Sequence, residues 1–253
     1  HHHNAIGDRI VVVTEAFEKA IADKGIARDK ISVVKNGIET DGWDEPLDEE
    51  RLEALRRTHD LDGAFVASYI GTIGLAHRAD VLLEAAERCD DPDIVFMVVG
   101  TGAKRDELEA RQEALQLDNF RLIDKVPKHT VPYLLALSDA SVVHLRDDPL
   151  FETVIPSKMF EAMATRTPIV LGVRGEARQI VEEAGAGIPV PPEDPEALVE
   201  AVRRLKDTPS LHEELATNAY QHVQAHYDRQ GLARTYASLL ERVVQENEER
   251  SRV

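Results

Sequence analysis

Short unbroken apolar runs alternate along this chain with longer stretches in which apolar side chains recur at helical spacing. The runs at residues 64–70, 94–99, 120–123, 141–145 and 169–171 are rich in Val, Ile and Leu and predict strands buried on both faces. Between and before them, the pattern predicts helices over 48–60, 79–88, 104–117 and 131–137, with a short one from Lys158 that Thr167-Pro168 ends. Two long amphipathic helices follow at 195–206 and 210–226. A last helix, 230–246, carries Leu232, Tyr236, Leu239, Leu240 and Val243 on one face, and the polar residues 247–253 are expected to fray. Upstream, strands at 9–14 and 31–34 flank a helix over 15–24 that Gly25 closes. Strand and helix in turn, with strands apolar throughout, give an α/β chain built on a doubly wound parallel sheet.

Composition narrows the chemistry. With 253 residues the chain can bury a sizeable core. Its 30 basic and 47 acidic side chains leave a formal charge of −17, which argues against nucleic acid or an anionic membrane as partner, since phosphate backbones need the opposite sign. Cys89 is the lone cysteine, so no intrachain disulfide forms and a reducing cytoplasm is the expected setting. It falls in the helical pattern after Val81-Leu82-Leu83, where a core or half-buried thiol is expected rather than a nucleophile. The sequence shows no signal peptide and no run as long as a membrane span. The histidines lack metal-ligand spacing, and no metal site is expected; His144, at a strand's carboxyl end, is the one to watch. His1-His2-His3 reads as an affinity-tag remnant, which implies a chain that starts at a chosen cut.

Candidate chemistry concentrates where strands end. Tyr69-Ile70-Gly71-Thr72-Ile73-Gly74 closes one strand and Val98-Val99-Gly100-Thr101-Gly102 the next. Glycines there let backbone N–H groups approach an anion with no Cβ in the way. The segment Phe151 to Pro168 runs through Val154-Ile155-Pro156-Ser157 into a helix bearing Lys158 and Glu161. Its free N–H groups and dipole favour a phosphate, and Glu161, one turn on, can accept hydrogen bonds from sugar hydroxyls. Each motif lies at the carboxyl end of a successive strand, where open α/β sheets bind ligands.

Glu161-Ala162-Met163-Ala164 and Pro168 resemble the Glu-x7-Glu-Ala-Met-Ala-x-Gly-x-Pro segment of family 4 (group 1) retaining glycosyltransferases of GT-B fold. The resemblance covers nearly the whole chain and implies the C-terminal, donor-binding half of that Rossmann-like fold. The chain departs from the motif twice, with Thr153 in place of the first Glu and Arg166 in place of the glycine. Glu152 and Thr153 both stand as candidates for the missing contact. The variant Pro156 to Glu161 is similar to enzymes that build bacterial polysaccharides from UDP-linked amino sugars, hence a lean to UDP.

The resemblance further implies that Gly71, Thr72 and Gly74 lie beneath the donor diphosphate and that Gly100 and Gly102 lie near the nucleotide. It implies that the backbone at Val126 reads the base, and that Val154, Ile155 and Ser157 belong to the donor site. Family members place an Arg and a Lys-Gly pair after the first glycine loop; here Leu75-Ala76-His77-Arg78-Ala79 has no lysine. Arg78 is the expected phosphate clamp, His77 a helix-start residue and Asp139 a turn-fixing one. Arg78, Lys158 and Glu161 are thus the expected catalytic set: the first two neutralise the leaving diphosphate without a metal or cofactor, and Glu161 holds the ribose.

Residues 8–38 read as the last strand–helix–strand unit of a truncated acceptor domain, with Lys35 to Thr40 as hinge, 39–228 as the donor domain and 229–253 as a crossover helix and tail. On that reading the acceptor is bound by an absent N-terminal domain and the chain alone turns over little. The exposed strand unit is expected to dock on its own chain or to pair with a second copy as a dimer. The intact enzyme is expected in the cytoplasm, with peripheral attachment to the inner membrane face open to it. Two other readings are a UDP-sugar epimerase-like GT-B enzyme and a non-catalytic nucleotide-binding module. An NAD-type module is disfavoured because Gly71-Thr72-Ile73-Gly74 has the wrong glycine spacing and the second strand ends in Gly100 rather than an acid.

Overall fold

In the computed structural model, which describes residues 9–39, 43 and 46–251, every strand expected of the sheet forms. The strands are β3 (Phe65–Ile70), β4 (Ile94–Val99), β5 (Phe120–Ile123), β6 (Ala140–His144), β7 (Ile169–Gly172) and β8 (Gly187–Pro189), preceded by β1 (Ile10–Val12) and β2 (Ile31–Val33). The helices are α1 (Glu15–Ala22), α2 (Glu49–Thr58), α3 (Asp80–Arg88), α4 (Arg105–Leu115), α5 (Val131–Ala136), α6 (Lys158–Ala164), α7 (Glu176–Ala184), α8 (Pro195–Asp207), α9 (Pro209–His226) and α10 (Arg229–Ser251).

The six-stranded sheet has the order β5-β4-β3-β6-β7-β8, and every pairing is parallel. The chain starts at the centre, walks out to β5, then returns to lay β6 on the other side of β3. That reversal opens a crevice at the carboxyl ends of β3 and β6, where such sheets take their ligands.

The unbroken apolar strands follow from burial on both faces. In β4, Ile94, Phe96 and Val98 pack with α3 and α8, while Val95, Met97 and Val99 pack with Leu61 and Leu134 on the opposite face. Phe96, Met97 and Leu82 are fully buried, each adding about 1.5–3 kcal/mol relative to exposure. A third cluster joins Val143, Leu171, Met159, Met163 and Val181 around α6, α7 and α9. It fixes α6 against the sheet and thereby sets where Lys158 and Glu161 project. Cys89 is half-buried at the end of α3, as expected. Asp139 is structural, but it ties the turn before β6 to β3 rather than closing a local turn, its carboxylate accepting from Val66 N–H at 2.7 Å.

One expectation needs correction, two elements went unread, and docking of the first strand unit on its own chain, one of the two outcomes expected, is observed. Helix α10 does not stop near 246 and fray but continues to Ser251, because Glu-rich sequence keeps helix propensity and Arg9 holds Glu246 at 3.0 Å. Helix α7 and strand β8 carried no expectation at all; they lie among Gly175, Gly185 and Gly187, whose turn character masks two short elements. The β1–α1–β2 unit forms its own two-stranded parallel sheet and docks on its own chain. There the Glu176 carboxylate accepts from the N–H groups of Glu15 (3.2 Å) and Ala16 (3.0 Å) at the start of α1. Ile38 pairs with Asp228 beside it. The tag residues and Thr40 of the hinge lie outside the described residues. Among the described residues no helix is long and apolar enough to cross a membrane.

Candidate functional site

Two hollows meet at the switch point, and both are bounded by Ile70, Gly71 and Thr72 at the end of β3. One, of about 300 Å³, is walled by Gly100 and Thr101 after β4 and by Val126 and Lys128 after β5. The other, of about 370 Å³, is walled by Val154, Pro156, Ser157, Lys158 and Glu161 on the α6 side, with His77 and Leu145. Loops distant in sequence thus converge on one rim of the sheet.

The close approach of these loops depends on glycine. Gly71 and Gly100 have φ of 153° and 151°, and a Cβ on Gly100 would overlap the carbonyl oxygen of Gly71. Gly71 N–H donates to Val99 C=O at 2.9 Å, so the two strand ends are hydrogen-bonded as they part. Gly102 is a backing residue, since a Cβ there would overlap Ile73 C=O.

Lys158 is the unusual side chain. Its Nζ is sealed from solvent with no hydrogen-bond partner and lies 3.6 Å from the centre of the Tyr69 ring. The residue as a whole is only half-buried, because its stem lines the cavity while the amine tucks beneath Gly71. Burial pushes the Lys158 ammonium down to about 7, against the smaller opposing pull of Glu161. That shift from 10.5 corresponds to roughly 5 kcal/mol, more than the approximately 2 kcal/mol a desolvated cation gains over an aromatic face. Desolvation therefore wins. Burial also raises the Glu161 carboxyl, with Lys128 and Lys158 opposing it, and raises the Tyr69 phenol, which donates to Thr72 C=O at 2.7 Å.

The structure separates the residues expected to act together. Gly71, Thr72, Val154, Ser157, Lys158 and Glu161 share the larger of the two hollows, and Gly100 and Val126 share the smaller with Gly71 and Thr72. Arg78 lines neither. With Gly74 it lines a neighbouring hollow of about 430 Å³, where Asp80 (3.0 Å) and Glu193 engage its guanidinium. Ile155 faces a fourth hollow of about 210 Å³ against Thr14 and Phe17, and Thr153 lies there too. Glu152 is exposed and lines none of these hollows, so neither candidate for the missing Glu reaches the Lys158–Glu161 cavity.

His77 is the residue the sequence reading undervalued. It does not start a helix; its N–H closes a turn onto Gly74 C=O (3.1 Å), and its ring lines the cavity with Lys158. Its Nδ1 is buried without a partner, and burial, then Lys158, holds its pKa below the ordinary value. A signal was present, since His77 lies in the Leu75-to-Ala79 stretch that follows the first glycine loop. Arg78 has the glycine-like φ of 45°. Behind it, buried His144 donates from Nδ1 to His77 C=O (3.2 Å) and accepts Glu193 N–H at Nε2 (2.8 Å). That network requires the neutral ring, and burial pushes its pKa down to about 4. Arg166, which replaces the motif's glycine, also has positive φ (58°), and its guanidinium stacks 3.7 Å over the Tyr220 ring. Among the described residues no group of three or more His, Cys, Asp or Glu side chains is placed to hold a metal ion.

The chain is 28% identical over 215 residues to the D-rhamnosyltransferase WbpZ of Pseudomonas aeruginosa, covering 84% of this chain and 53% of WbpZ. It is 28% identical over 174 residues to the alpha-D-kanosaminyltransferase of Streptomyces kanamyceticus, covering 68% of this chain and 44% of that protein. The chain spans about half the length of the curated relatives it matches. The crystal structure of Anabaena Alr3699/HepE in complex with UDP and glucose shares the fold with a TM-score of 0.82 at 18% identity, covering 94% of this chain and 64% of that one. The family model for glycosyl transferases group 1 matches residues 53–222, two thirds of the chain, and with the sheet order and rim loops already described this chain belongs to that family.

Proposed function

We propose that this chain binds a nucleotide-sugar donor, with UDP as the nucleotide, for a retaining transfer of the sugar to a cell-surface or polysaccharide acceptor. The observation that carries this reading is the pair of hollows joined at Gly71–Thr72. The smaller takes the base against Val126, and the larger takes the ribose on Glu161 and the pyrophosphate against Ser157, Lys158 and His77. The lean to UDP rests on the Pro156-to-Glu161 variant and is supported by the UDP bound in the Anabaena neighbour.

In this reading the acceptor oxygen bonds to the anomeric carbon on the same face from which the phosphate oxygen departs. The acceptor's proton passes to that departing oxygen. Negative charge grows on the leaving diphosphate, and fixed N–H groups with Lys158 stabilise it more in the transition state than in the ground state. No metal or cofactor is invoked. Lys158 and His77 take the place expected of Arg78, whose paired guanidinium serves to hold the loop after β3. Acceptor recognition falls to a second lobe, so the 253-residue chain alone binds donor weakly and turns over little.

A thermal-shift panel of UDP, GDP, ADP and NAD tests the assignment, because a ligand stabilises only the fold it binds, by about 2.7 kcal/mol at a hundred times its Kd. UDP should give the largest rise, and Glu161→Ala should shrink it without lowering the unliganded Tm by more than a few degrees. A rise with NAD alone, or an undiminished UDP shift in Glu161→Ala, would overturn the reading.

A further inference from the structure

We propose that at mildly alkaline pH Lys158 rests largely uncharged in the empty site and takes up a proton when the pyrophosphate arrives, so that donor binding is coupled to proton uptake. The inference rests on the donor-site reading above and adds its regulation by pH.

The geometry around Nζ is that of a parked amine. It sits against the Tyr69 ring, and a Cβ on Gly71 would come within 2.8 Å of it, yet no acceptor meets it. An ammonium so placed forfeits its hydration and gains no hydrogen bond, which burial permits only to the neutral amine. Among the described residues, the titratable groups that face Lys158 are these. Tyr69 on β3 is a phenol kept neutral by burial. His77 on the following turn and His144 on β6 are both held neutral by burial. Glu161, one turn along α6, is the acid that acts on Lys158, and it is itself disfavoured as an anion and shared with Lys128. The empty site therefore offers Lys158 no strong counter-charge.

A pyrophosphate reverses this balance. Lysine's flexible four-carbon stem lets Nζ swing from the ring into the cavity it already borders, and a nearby anion raises its proton affinity toward that of an ordinary lysine. The sign is fixed: well below pH 7 the amine is already protonated and little proton moves. Above it, each binding event draws a proton from solvent, and affinity falls as pH rises. With an empty-site value of about 7, Kd should weaken about fivefold from pH 7 to pH 8.

Isothermal titration of the protein with UDP-glucose in HEPES and in Tris at pH 8 reads the proton count directly. UDP-glucose is the probe because its pyrophosphate carries no proton that titrates near neutrality; UDP-N-acetylglucosamine and GDP-mannose serve if it does not bind. The expected result is uptake of close to one proton per ligand at pH 8 and little at pH 6. Lys158→Arg, always charged, should bind with no uptake and a flat Kd from pH 7 to pH 8. Lys158→Met should bind more weakly, also without uptake, and it guards against an Arg variant that fails to fold. Binding by the wild type with equal heats in both buffers would overturn the coupling and leave the donor site standing. Undiminished uptake in the Arg variant would assign the proton to a histidine and likewise overturn it. If no nucleotide sugar binds, the donor-site reading itself fails and the coupling falls with it.

Discussion

Gly71→Ala and Gly100→Ala form a matched pair that separates backbone fit from ligand fit. Both glycines have nearly the same φ, 153° and 151°, so the conformational cost of adding a Cβ, about 1–3 kcal/mol, is common to both and cancels. What differs is the obstacle. On Gly100 the new methyl would overlap the Gly71 carbonyl, a backbone group hydrogen-bonded into the sheet edge. On Gly71 it would meet Lys158 Nζ at 2.8 Å, the free end of a flexible side chain that can move aside. Overpacking against rigid neighbours costs a further 1–3 kcal/mol or so, at about 2–4 °C of Tm per kcal/mol for a chain of this size. Gly100→Ala should therefore melt several degrees below Gly71→Ala in calorimetry. Gly71→Ala should instead show the larger loss of UDP affinity per degree of destabilisation, because it displaces Lys158 and narrows both hollows. Equal melting temperatures, or a Gly71→Ala protein that binds UDP like wild type, would refute the claim that these two strand ends touch and share a ligand.

Further outcomes follow from named contacts. His144 is neutral in the fold with a pKa near 4 against about 6.5 unfolded, so its contribution is intact above pH 6.5 and is lost as pH falls toward 4, by on the order of 3 kcal/mol. Urea melts across that range should show His144→Gln with a shallower acid loss than wild type. Glu176→Ala removes the carboxylate that caps α1 and should cost about 1–2 kcal/mol, seen as faster amide exchange over Glu15–Ala22 with the six-stranded sheet unchanged. Arg78→Ala should leave UDP affinity within about twofold, because Asp80 and Glu193 already occupy that guanidinium; a tenfold loss would restore it as a phosphate clamp.

The sheet was legible because burial on both faces writes an unmistakable run, as in Ile94-Val95-Phe96-Met97-Val98-Val99. Helix α7 and strand β8 were not, since glycine punctuation on either side reads as loop and a three-residue strand has too little period to count. Within the site, glycine positions and the Lys158–Glu161 spacing could be read because one helical turn and one strand end fix them locally. The division of labour between His77 and Arg78 could not. It depends on a left-handed residue that turns two adjacent side chains toward different hollows, and on carboxylates from β8's following loop and α3 that reach Arg78 first. Likewise nothing local tells that Ile155 and Thr153 face the β1–α1–β2 unit rather than the ligand cavity.

The central claim is that loops after β3, β4 and β5 and the start of α6 make one nucleotide site. Amide exchange followed by mass spectrometry, with and without saturating UDP, reads all four segments at once. The account predicts slowed exchange together at Gly71–Thr72, Gly100–Thr101, Val126 and Ser157–Lys158, and none at the Arg78-lined hollow. Protection confined to one of these segments, or found elsewhere on the surface, would contradict it.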